Sequence, residues 1–148
     1  MAINKGYQRY KQNSVLTASP EELTLMLYDG CLKFMRQAKL FIDENNIEKA
    51  HNAIIKAENI IDELNLTLKM EYPVSKALRP LYTFILEKLY EANMTKDASI
   101  IDEVYPMVED LRNTWKEAMR RAKIERKTGK KILGSEQSMT APIQEIVK

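Results

Sequence analysis

Leu23, Leu27, Gly30, Phe34, Ala38 and Phe41 recur at spacings of three and four, the repeat that lays one apolar stripe along an α-helix. The stripe opens behind Ser19-Pro20-Glu21-Glu22. There the serine can cap, the proline suits the first helical position, and Glu22 completes a capping box. The acidic pair also complements the positive end of the helix dipole. A first helix is therefore predicted from this point to about Ile42, where Asp43-Glu44-Asn45-Asn46 breaks it. Asn46 can cap a second helix carrying Ile47, Ala50, Ile54, Ala57, Ile61, Leu64 and Leu68, an a/d alternation sustained over three heptads.

A turn at Tyr72-Pro73 precedes a third helix, with Leu78, Tyr82, Ile85, Leu89 and Ala92 on one face. Its regular part is expected to begin near Pro80, because an interior proline removes a hydrogen bond and clashes one turn back. Val74 to Arg79 would then be a looser first turn. Asp97 is a cap for a fourth helix bearing Ile101, Val104, Val108, Leu111, Trp115, Ala118 and Ala122. Pro106 falls inside it, which predicts either a kink or a start later than Asp97. Gly129 and Gly134 end the periodicity. The fold expected is all-α: an antiparallel up-down four-helix bundle over residues 19–128, with an irregular N-terminal arm over 1–18 and a flexible C-terminal tail over 129–148.

Composition agrees with one helical domain: 148 residues, 45% hydrophobic and 30% charged, with only 4 Gly and 5 Pro to punctuate the helices. A net charge of +2 does not call for nucleic acid or an acidic membrane as partner. No apolar run approaches the roughly 20 residues that span a bilayer, so no direct membrane insertion is expected. Met1 to Gly6 lack the basic-then-apolar order of a signal peptide, and the single cysteine, Cys31, can form no intramolecular disulfide. A cytoplasmic location is the reading these features give.

Catalytic chemistry finds little support. His51 lies off the a and d rows of its helix and far in sequence from Cys31, which reads as a small core residue. The carboxylates Glu21, Asp29, Glu44, Glu58 and Asp62 stand in no Glu-x-x-His pair, a bundle di-iron site needs two such pairs where this chain has a single histidine, and these carboxylates read as solvated helix faces. No Gly-rich phosphate loop is present. No enzyme activity, metal or cofactor is expected. From Arg112 to Lys131 basic residues accumulate, opposed only by Glu117 and Glu125. This reads as a helix end whose cations favour the dipole. The functional alternative is an acidic partner, nucleic acid included, but beyond Trp115 no aromatic residue interleaves with the run, and nucleic acid is not expected.

A second apolar set in the first helix, Leu25, Tyr28, Leu32 and Met35, lies more than a quarter turn from the first at about 100° per residue. Ile55 and Leu66 stand nearly opposite the heptad face of the second helix. These six residues either widen the core or line a groove for a partner's amphipathic helix. The chemistry read from the residues is that of a binding protein for helix-forming segments, without identifying the segment.

The run Tyr10 to Gly30, Y-K-Q-N-S-V-L-T-A-S-P-E-E-L-T-L-M-L-Y-D-G, closely resembles the N-terminal signature of the flagellin-specific export chaperones, the FliS family. The resemblance continues through Ala57 to Leu64, Leu89 to Asn93 and Leu111 to Trp115, and spans roughly Tyr7 to Lys127. It implies a helical bundle that binds the disordered C-terminal segment of flagellin, blocks premature polymerisation and keeps the cargo export-competent. It implies that the arm, here Tyr7, Tyr10, Val15 and Leu16, covers a hydrophobic site or contacts the cytoplasmic domain of the export gate. A homodimer of the cargo-free chain is left open. The principal rival is an adaptor that sequesters an unrelated protein or RNA through its basic end, which steep salt dependence would reveal.

Overall fold

A computed structural model describes residues 16–129, which form four long helices. They are α1 (Pro20–Asp43), α2 (Ile47–Leu66), α3 (Pro73–Thr95) and α4 (Ala98–Thr128). The starts follow the local chemistry of the sequence. Ser19 Oγ accepts from the Glu22 amide at 3.2 Å, Asn46 Oδ1 from the Lys49 amide at 3.2 Å, and Asp97 Oδ1 from the Ser99 amide at 2.9 Å. Each satisfies an amide that the first turn of a helix leaves unpaired. At the far end, Gly129 takes φ +70°, the left-handed conformation that closes α4. Leu16 and Thr17, at the described end of the expected irregular arm, are helical. The tail beyond Gly129 lies outside the described residues.

Short connections make successive helices antiparallel, and α4 returns to pack on α1. The ring therefore runs α1–α2–α3–α4. Lys39 pairs with Asp102, and Arg112 Nε bonds Asp29 Oδ1 at 2.8 Å, both across the closing α1–α4 edge.

Three helices bury the face that their periodicity predicts. All five α3 positions are buried, as are the α2 heptad positions except Ile47. On α4, Ile101, Val104, Val108, Trp115 and Ala118 are buried, with Leu111 and Ala122 half-buried. In α1 the expectation reverses. The buried face is Thr24, Tyr28, Cys31, Leu32, Met35 and Ala38. Leu23, Leu27, Phe34 and Phe41 are only half-buried along the flank. The small residues Cys31 and Ala38, with Ala50, Ala53 and Ala57 of α2, are all in the core and let these two helices approach closely. A β-carbon added to Gly30 would lie 3.4 Å from Ile60 Cδ1. At such a seam large side chains are displaced to the edges. There Phe34 takes the ammonium groups of Lys33 and Lys56 over its ring at 4.7 and 5.4 Å.

Pro80 acts differently from the sequence expectation, and Pro106 does not delay the start of its helix. α3 begins at Pro73 and runs through Pro80, and α4 begins at Ala98 and runs through Pro106. Pro73 suits the first helical position, where its missing N–H costs nothing. Buried Ser75 and Leu78 hold the turns before Pro80 against the bundle, so packing outweighs the single lost bond.

Across the centre, the hydroxyls of Tyr28 on α1 and Tyr82 on α3 meet at 2.6 Å. Burial pushes both phenols up, Tyr82 to about 12, so the pair stays protonated and acts as a neutral latch. Tyr28→Phe or Tyr82→Phe alone is expected to cost about 1–3 kcal/mol, because the remaining hydroxyl is left unpaired in the core. The double substitution should recover most of that loss. Denaturant melts of the four proteins measure the coupling, and additive losses would show that the hydroxyls act independently.

Candidate functional site

Two clefts open on opposite edges of the ring. The larger, about 890 Å³, lies where the start of α1 meets the C-terminal half of α4. Leu25, Trp115, Met119 and Ala122 supply its apolar lining, and Lys116, Lys123 and Arg126 are among its basic residues. Trp115 is buried and donates its indole N–H to the Glu21 carbonyl at 2.9 Å, which fastens the two helices at this cleft. Glu117 is gripped by Arg120 and Arg121, with contacts of 2.6 and 3.0 Å. Hydrogen bonds from Arg120 and then Arg121 hold its carboxyl down to about 2. Part of the basic run is thus neutralised within its own helix.

The smaller cleft, about 330 Å³, lies between α2 and α3. His51, Ile55 and Glu58 contribute from α2, at four- and three-residue steps on one face, and Tyr90, Asn93 and Met94 from α3. Met94 is 85% exposed and Tyr90 48%, so the α3 wall is open to a partner. His51 Nδ1 lies 3.1 Å from Asn93 Oδ1. The expectation of a surface histidine and a core cysteine matches this arrangement. Cys31 is fully buried, and burial pushes its thiol up to about 12, far from the reactive thiolate range.

The six residues singled out on the first two helices do not form one groove. Leu25 is half-buried in the α1–α4 cleft, Ile55 is half-buried in the α2–α3 cleft, and Leu66 is 72% exposed near the end of α2. Tyr28, Leu32 and Met35 are corrected: they are buried in the centre of the bundle and offer no surface in this state. They belong to the stripe that faces the α2 alanines. Leu16 is 80% exposed at the start of the described residues. Tyr7, Tyr10 and Val15 lie outside the described residues.

Sequence reasoning also passed over residues that shape these surfaces. Tyr90 and Met94, four apart and off the buried α3 face, were visible as a second apolar set. Glu58 was read as a solvated carboxylate, yet it is 6% exposed. Its position beside the heptad residue Ala57 was the available signal, since residues flanking a buried stripe are drawn under a neighbouring helix. Among the described residues no group of three His, Cys, Asp or Glu is placed to hold a metal, and no helix is long and apolar enough to cross a membrane.

The fold and clefts define an all-α bundle that displays apolar surface at two separate edges. Residues 3–122 match the family model of the flagellar protein FliS, and the chain belongs to that family. It is 44% identical over 119 residues to the flagellar secretion chaperone FliS of Bacillus subtilis strain 168, covering 80% of this chain and 90% of that protein. The flagellar secretion chaperone FliS of Escherichia coli K12 is 31% identical over 126 residues, covering 80% and 93%. A crystal structure described as a flagellar chaperone from bacteria superposes with a TM-score of 0.64 at 24% identity, over 78% of this chain and 96% of that one, and shows the same fold.

Proposed function

We propose that the chain is a cytoplasmic chaperone of flagellar type III export that holds the disordered C-terminal segment of flagellin, unpolymerised and export-competent. The observation that carries this reading is the apolar lining of two open clefts, with exposed Tyr90 and Met94 at one of them, on a bundle belonging to the FliS family. A polymerisation segment that is amphipathic must hide its apolar face before export, and open clefts between helices are the natural receivers for such a face. Because the two clefts lie on opposite edges, one extended segment would reach both only by wrapping the bundle. Coupled folding of that kind spreads modest affinity over a long interface.

In this reading Leu25, Ile55 and Leu66 contact cargo. Tyr7, Tyr10 and Val15 cover an apolar site until cargo arrives, and exposed Leu16 is available to the cytoplasmic domain of the export gate. Calorimetric titration of the purified chain with a synthetic flagellin C-terminal segment tests the reading. One-to-one binding with a negative heat-capacity change is expected. Leu66→Asp should weaken it about tenfold or more, equivalent to about 1.4 kcal/mol, while leaving the melting temperature nearly unchanged. Absence of any binding by the folded chain would overturn the proposal.

A further inference from the structure

The α2–α3 cleft contains a buried carboxylate that the fold leaves unanswered. Glu58 is 6% exposed, and its Oε1 atom is buried without a hydrogen-bond partner. Burial raises its carboxyl above the usual range, with the charge of His51 opposing the shift. A site serving stability alone would place an apolar residue here, or would close a donor over the oxygen, because an unpaired buried acceptor is costly.

Donors are near but engaged elsewhere. The Lys96 ammonium bonds both the backbone carbonyl and the side-chain Oδ1 of Asn93, and His51 Nδ1 faces that same Oδ1. Asn93 therefore engages both nearby side-chain nitrogens and leaves Glu58 Oε1 without a donor. Around the carboxylate, Ile55, Tyr90 and Met94 form apolar walls, and Asp62 adds negative charge one turn along α2, close enough to act on Tyr90. Apolar walls leading to a lone acceptor suit a side chain with a methylene stem and a charged donor head. The exposed Tyr90 ring offers the same head a π face.

We infer that the α2–α3 cleft is a specificity pocket for one lysine or arginine side chain of the captured segment, with Glu58 accepting the hydrogen bond from its cationic head. The inference rests on the proposed capture of the flagellin C-terminal segment and names the chemistry that one part of that segment must carry. Ile55, Tyr90 and Met94 pack the stem. The buried carboxylate gains its missing partner only in the complex, so its cost in the free chain becomes discrimination in the bound one.

The test combines Glu58→Gln and Glu58→Leu with a synthetic flagellin C-terminal segment in which each lysine and arginine is changed in turn to Met, preserving the stem. Both Glu58 variants are expected to melt at or above the temperature of the unaltered chain, since each removes an unpaired buried charge. Both should bind the segment at least tenfold more weakly. A single segment substitution should weaken binding to the unaltered chain by the same factor and have no further effect on either variant. Unchanged binding by both variants, beside normal binding by the unaltered chain, overturns this inference and leaves the capture reading intact. Loss with Glu58→Leu but not Glu58→Gln also overturns it, by showing a neutral donor in the pocket. If the unaltered chain binds nothing, the capture reading and this inference fall together.

Discussion

Leu32→Asp is expected to unfold the bundle, not to yield a folded protein that has lost its partner. Leu32 is 6% exposed and lies in the core with Tyr28 and Met35, so the new carboxylate would be buried among apolar side chains. Burying an unpaired charge while removing a packed leucine should cost about 4 kcal/mol or more, a large share of the stability of a domain this size. Circular dichroism should show loss of the cooperative melt or a fall of at least on the order of 10 °C. Leu66→Asp supplies the contrast. Leu66 is exposed, so the same change there should leave the melt nearly intact and act only on capture. A folded, stable Leu32→Asp protein with impaired capture would restore the outward groove that the burial of Tyr28, Leu32 and Met35 argues against.

Trp115→Ala should destabilise by about 3–5 kcal/mol. The side chain is 3% exposed and links core to cleft: its ring packs in the apolar cluster while its N–H reaches the Glu21 carbonyl on α1. Removing it leaves a cavity at the α1–α4 edge and frees the first turn of α1 from α4. Trp115→Phe separates the two contributions, keeping most of the ring and losing the hydrogen bond, and should cost about 1 kcal/mol from the bond plus a packing loss. Denaturant unfolding measures both. If Trp115→Ala costs under about 1 kcal/mol, this edge does not hold the bundle closed.

Both predictions bear on how α1 is held in the bundle, and α1 is the helix whose sequence carries two apolar stripes. Elsewhere periodicity was sufficient. Caps at Ser19, Asn46 and Asp97 marked three helix starts because the amides they satisfy are local. The inward faces of α2, α3 and α4 were legible because each has one dominant three-four repeat. The Tyr10 to Gly30 signature identified the family because it is long and ungapped, a property of sequence alone.

Tertiary packing decided the rest. Helical periodicity states which residues share a face, but it cannot rank two faces of similar hydrophobicity. In α1 the ranking came from partners on another helix: Cys31 and Ala38 are small enough to meet Ala53 and Ala57, and this turned Tyr28, Leu32 and Met35 inward and left Phe34 at the flank. Pro80 and Pro106 were absorbed because packing on either side outweighs one missing bond. The burial of Glu58, and the separation of Leu25 and Ile55 into different clefts, depend on which helices become neighbours in the ring. That information lies in contacts between residues distant in the chain. The sequence therefore determined the helices, most of their faces and the family, while the bundle determined which apolar surface remains available to a partner.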